Sequence, residues 1–239
     1  MAHPLPTRAA PAGTLTRLLA ALTFATGLVE AAALLGLGPV FTAMQTGNLL
    51  FLGFGLMGQG GLSVSAPAVS LGAFVLGAVA GARLEGRLEA HRHRWFVLAV
   101  TAEGLLVAAA GGVAWGVQPL SSAPTGRHLA VIATLACAMG LRNVTAMRVA
   151  VPDMPTTLVT RAMTAFLAGS LLGRDPAFGR GPGATQRRAA SVGAMFAGGV
   201  VGAAFIRWDW PLSALLWSAG GISLLVAAAF VPQARLRSR

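Results

Sequence analysis

Six apolar runs, at roughly 16–38, 66–84, 95–117, 129–148, 189–206 and 211–231, constrain this chain more than any other feature. Each is close to the ~20 residues that a helix needs to cross the hydrocarbon core of a bilayer. A soluble domain has no room for so many. Of the 239 residues 55% are hydrophobic and 10% charged, against about 25% charged in ordinary globular domains. The expected fold is therefore all-α: a polytopic bundle of membrane helices in contact with lipid.

Charge sets the organisation of the bundle. All 18 basic residues are arginine, and the formal net charge is +11. A nucleic-acid partner is not expected, because such binders gather charge on a folded polar face. Here the arginines fall in short gaps between apolar runs, the pattern of a polytopic membrane protein marking its cytoplasmic side. Two further apolar stretches, Phe41–Gly58 and Thr156–Gly173, are shorter and more polar. If both spanned, ten arginines would lie inside and seven outside, leaving Arg161 aside. If both enter and leave on one side, fifteen lie inside and only Arg127 and Arg207 outside. The second arrangement obeys the positive-inside rule. It gives six spans plus two short re-entrant or broken helices, with both termini cytoplasmic. The run Leu18–Gly38 is longer than a signal-peptide core and contains Glu30, so it reads as a retained first span.

The two halves repeat. Ser70-Leu71-Gly72-Ala73 recurs as Ser191-Val192-Gly193-Ala194, and Gly77, Val79, Gly81 and Ala82 match Gly198, Val200, Gly202 and Ala203. Gly27-Leu28 matches Gly140-Leu141, and Thr42 and Thr46 match Thr156 and Thr160. Repeat 1 covers about 16–117 and repeat 2 about 129–231, in one transmembrane domain over 16–231. A disordered tail is expected at 1–15 and a basic tail at 232–239. Three spans per half invert the second half relative to the first. Inverted repeats with interrupted helices are a recurrent transporter architecture, with the site at the repeat interface.

Polar groups inside a bilayer are costly, and each asks for a reason. Glu30 lies deep in the first span, with Asn143 as its counterpart in the second half; Glu103, eight residues past Trp95, lies nearer an interface. Glu30 is read as a proton or cation site, or as a structural carboxyl. Thr46-Gly47-Asn48 sets a hydroxyl, a permissive backbone and an amide in succession, and Thr156 stands where it could cap the second short helix. Two helix N-termini facing each other inside the protein would suit an anion or small polar solute; otherwise the hydroxyls cap helices and glue spans together. Arg161 and Arg142 require a carboxylate, Glu30 or Asp153, or a route to the surface. The candidate solute or proton site is thus Glu30, Thr46, Gly47, Asn48, Asn143, Thr156, Thr160 and Arg161. No nucleophile motif, HExxH or P-loop occurs, so no enzyme activity is expected. The lone Cys137 and the four histidines, all in polar gaps, form no metal cluster, and no cofactor is expected.

These residues carry a resemblance. The Gly-x-x-acid-Ala pattern ending at Ala31, the Thr46-Gly47-Asn48 motif, the Gly140-Leu141-x-Asn143 segment and Thr156, Thr157 and Thr160 resemble the YoaK-like family of bacterial inner-membrane proteins, named for domain of unknown function 1275. The likeness runs from about Arg17 to Val231 and implies about six spans. The chain departs from the family pattern at Glu30, usually Asp, at Arg142, usually Gln, and at Arg161, usually Gly. The resemblance implies architecture and location, and no activity follows from it. The leading functional expectation is a small-solute transporter or channel. The alternatives are a non-transporting membrane scaffold or partner-binding protein and, third, a membrane-embedded enzyme.

Overall fold

The computed structural model describes residues 12–91, 94–120, 123–149, 151, 154, 156–157, 159–170, 172–175 and 183–233. Among these residues the secondary structure is helical throughout. Helix α1 (Ala12–Ala31) continues as a π-helical stretch, Ala32–Leu37. It is followed by α2 (Gln45–Leu56), α3 (Ser65–Ala90), α4 (Trp95–Val113), α5 (Gly126–Val149), α6 (Thr160–Ala168), α7 (Ala184–Arg207) and α8 (Leu212–Phe230). Six are long and apolar enough to cross a membrane: α1 with its π extension, α3, α4, α5, α7 and α8. Helix α1 begins at Ala12, within the stretch expected as a disordered tail.

Contacts between helices fix their directions. Gly27 of α1 meets Gly198 and Gly199 of α7, and one turn further Ala31 meets Gly202, so α1 and α7 run parallel. Gly140 of α5 meets Phe74 and Ala78 of α3, and further on Arg148 bonds Glu85 and Glu89, so α3 and α5 are also parallel. Helix α8 runs against α4, with Gly220 beside Gly104 and Phe230 beside Phe96. Gly36 at the end of the first span meets Leu212 at the start of α8. Three spans (α1, α4, α7) therefore run one way and three (α3, α5, α8) the other. The face where α1 begins is called the near face below, and its opposite the far face.

The repeat is visible atom by atom. A Cβ on Gly27 would strike Met195 O and Gly199 N, and a Cβ on Gly140 would strike Phe74 O and Ala78 N. A Cβ on Gly198 would strike Phe24 O, and one on Gly77 Cys137 O. Each of these partners is the repeat counterpart of the other. The first helix of each half thus packs against the second long helix of the opposite half, backbone on backbone, as small residues allow. Helices α4 and α8 form the self-symmetric pair. Since α1 and α5, α3 and α7, and α4 and α8 are antiparallel within each pair, the repeat is inverted.

Both short helices are re-entrant. After Leu37 the chain reverses at Gly38, whose φ of 111° L-residues avoid and whose Cβ would collide with Leu120. It dips back to Glu30 and returns outward as α2. Asn48 bonds Ser70, five residues inside α3, while Gly55 sits beside Leu62 and Ser63, just before α3 begins. The second half does the same from the near face. Thr157 dips back to Asn143, and Ala165 of α6 lies against Arg188 at the start of α7.

The outside of the bundle is apolar. Leu76 is 70% and Phe196 73% exposed, and Val75, Val79, Val200 and Val201 stand beside them on α3 and α7. In water such faces would be aggregation liabilities; against lipid tails they cost nothing. Trp115, Trp208, Trp210 and Trp217 are exposed near the far ends of their helices, the level at which aromatic belts sit.

Candidate functional site

The structure divides the expected polar site into two clusters, one per half. In the first, the Glu30 side chain leaves α1 toward the loop that precedes α2. Its Oε1 accepts the Thr42 N–H at 2.9 Å, the Ala43 N–H at 2.6 Å and the Thr42 hydroxyl at 2.7 Å. Its Oε2 is buried without a partner. Donors just before the first turn of a helix suit an anion, and here the anion is the chain's own carboxylate. That place, expected for a solute, is already filled.

Asn48 anchors the same loop. Its Oδ1 accepts the Phe41 N–H at 2.9 Å, and its Nδ2 donates to Phe41 O at 2.6 Å and lies 3.0 Å from Ser70 Oγ. Ser70 in turn donates to Phe41 O at 2.7 Å. Both ends of this buried amide are engaged by the chain itself, so Asn48 positions α2. Gly47 is needed for space, since a Cβ there would lie 2.6 Å from the Phe41 ring. Thr46 is exposed on the other side of α2.

In the second half Asn143 accepts the Thr157 hydroxyl at 2.9 Å, so the amide does for its segment what Glu30 does for the first. Thr156 does not cap α6, which starts four residues later with Val159 before it. It is fully buried, and its hydroxyl has no partner. Thr160 and Arg161 are exposed in the first turn of α6. Arg161 takes the surface route and does not reach Glu30; Asp153, the other expected partner, lies outside the described residues. The expected convergence of Thr46, Asn48, Thr156 and Thr160 on Glu30 is therefore not formed.

The principal feature missed by the sequence reading is a buried ion pair. Arg142, 2% exposed, reaches across the bundle from α5. Its Nη1 donates to Leu22 O at 2.7 Å and Thr26 Oγ1 at 2.8 Å, and its Nη2 to Glu103 Oε1 at 2.5 Å and Ser223 Oγ at 2.7 Å. Glu103 is thus central to the bundle and pairs with the arginine for which Glu30 or Asp153 was expected as partner. One arginine ties together α1, α4, α5 and α8. Arg142 and Arg188 are both buried, so neither lies in a solvated loop as the arginine count supposed. The available signal was an arginine and a glutamate each within an apolar run, because two lone charges in lipid must find each other.

Beside this pair lies a cavity of about 10 Å³, lined by Leu19, Leu22, Val100, Glu103, Arg142 and Thr156 among others. Among the described residues no group of three or more His, Cys, Asp or Glu could hold a metal ion.

The family model described as "Protein of unknown function (DUF1275)" matches residues 18–229. The chain belongs to that family, as its motifs imply. No curated protein and no solved structure matches it.

Proposed function

We propose that this DUF1275 family member is a small-solute transporter of the bacterial inner membrane, poised in an occluded state, with Glu30 as its proton-responsive group. The observation that carries the reading is the pair of repeat-equivalent re-entrant helices. They enter from opposite faces, and each is tied back to a polar residue of its own half, the buried Glu30 or the half-buried Asn143. Such halves are built to exchange conformations across an in-plane pseudo-axis, which gives alternating access. Glu30 Oε1 accepts three hydrogen bonds that fix the first re-entrant segment. Protonation would weaken the hold on Thr42 and Ala43 and free the first re-entrant segment. The near face would be cytoplasmic, because Arg17, Arg83, Arg87 and Arg187 gather there against Arg127 and Arg207 on the far face.

A second reading, a non-transporting scaffold, draws on the dry packing. Glu30 is enclosed by protein, and the cavity beside Arg142 is only water-sized. The two readings separate in proteoliposomes. Uptake from a panel of small polar solutes is measured with and without a proton gradient, and thermal stability is measured on the same protein. For a transporter, Glu30→Gln abolishes gradient-driven uptake while the protein stays folded. For a scaffold, no solute is taken up by the wild type, and Glu30→Gln changes only stability.

A further inference from the structure

The central ion pair is incompletely satisfied, and the shortfall has a pattern. Arg142 has five N–H donors, and four are used by Leu22, Thr26, Glu103 and Ser223. The fifth, on Nε, is buried without a partner. Glu103 uses Oε1 and leaves Oε2 buried and unpartnered, and the fully buried Thr156 hydroxyl is likewise alone. An unmet buried polar group costs roughly 1–3 kcal/mol, so three together are unusual. All three belong to residues lining the same cavity of about 10 Å³. About one water fits a cavity of that size, and buried waters make two to four hydrogen bonds.

We propose that this cavity is a binding site for a single water molecule that bridges Thr156, Arg142 and Glu103. The water accepts from Arg142 Nε and from the Thr156 hydroxyl, and donates to Glu103 Oε2. The choice of ligand follows from the donor set. A halide would accept both donors but face the carboxylate with nothing to give. A bare cation would meet the Arg142 N–H at close range. Water alone of these serves all three groups. The site joins the second re-entrant segment, which carries Thr156, to the four spans that Arg142 holds. It stands independently of any transport activity.

The test is a structure of the wild-type protein at a resolution that shows waters, paired with infrared spectra in H₂¹⁶O and H₂¹⁸O of the wild type, Thr156→Val and Thr160→Val. The expected result is one density peak within hydrogen-bonding distance of all three atoms. An O–H band that shifts with the oxygen isotope should be present in the wild type and Thr160→Val and lost in Thr156→Val. Thr156→Ser, which keeps the hydroxyl, should retain the band, and it reports on the site if the valine variant does not fold. An empty cavity in the wild-type structure, a bromide peak there in crystals grown with bromide, or an unchanged set of isotope-sensitive bands in folded Thr156→Val would overturn the proposal.

Discussion

A methyl group added at Gly27 tests the packing that joins the two halves. In Gly27→Ala the new Cβ would lie 2.6 Å from Met195 O and 2.7 Å from Gly199 N, where ordinary contact begins at 3.4 Å. The shortfall against Met195 O is therefore about 0.8 Å, and both obstacles are backbone, which cannot swing aside. Helices α1 and α7 must separate, and contacts along the whole interface loosen with them. Overpacking of this kind costs about 2 kcal/mol, or roughly 4–8 °C in unfolding temperature at this chain length. Gly140→Ala, the repeat equivalent, meets Phe74 O and Ala78 N and should lose about as much. Gly72→Ala and Gly193→Ala are the controls. They are also repeat partners, but nothing lies within 4 Å of a Cβ at either position. Removing a helical glycine there should be neutral or stabilise by up to ~1 kcal/mol. The assay is thermal unfolding of the purified variants in one detergent. Equal behaviour of all four variants, or losses at Gly72 and Gly193 but not at Gly27 and Gly140, would refute the exchanged packing.

Other consequences are equally direct. Arg142→Leu strands the Glu103 carboxylate and should cost about 3–5 kcal/mol, whereas Arg142→Leu with Glu103→Leu should recover much of it; a double-mutant cycle on unfolding measures both. Thr42→Val removes the 2.7 Å hydroxyl bond to Glu30 and should cost about 1–3 kcal/mol, while Thr46→Val, on the exposed side of α2, should change stability little. Asn48→Ala leaves the Phe41 N–H without its partner and the Phe41 carbonyl with Ser70 alone; hydrogen exchange should rise over residues 41–56 and stay unchanged in α6.

The spans were legible because the requirement that a bilayer makes of a helix is written in length and composition. The run expected at 129–148 is α5 (Gly126–Val149), and that expected at 189–206 lies within α7 (Ala184–Arg207). The inversion was legible because its marks are glycines, and the closest backbone approaches, at Gly27, Gly140, Gly77 and Gly198, permit nothing else. The re-entrant course of α2 and α6 followed from arginine placement, even though Arg142 and Arg188 lie inside the bundle. Side-chain direction was not legible. Thr46 and Asn48 are two residues apart on one helix, so one faces out and the other in, and spacing alone did not say which. Nor did the sequence reveal that Glu30 would fill the α2 entrance itself, since that depends on the reversal at Gly38. Glu103 looked peripheral by its distance from Trp95, but its place is set by α5, which brings Arg142 to it.

The sidedness of the α2–α3 connection tests the central claim most directly, because an inverted repeat exists only if α2 turns back. Single cysteines at the exposed positions Gly13, Gln59, Gln118 and Gln186, introduced into a Cys137→Ala background, are labelled with a membrane-impermeant maleimide in sealed vesicles of known orientation. The fold predicts that Gln59→Cys and Gln118→Cys react from one side, and Gly13→Cys and Gln186→Cys only from the other. Labelling of Gly13→Cys and Gln59→Cys from the same side would mean that α2 crosses the membrane, and the inverted architecture, with the function built on it, would be wrong.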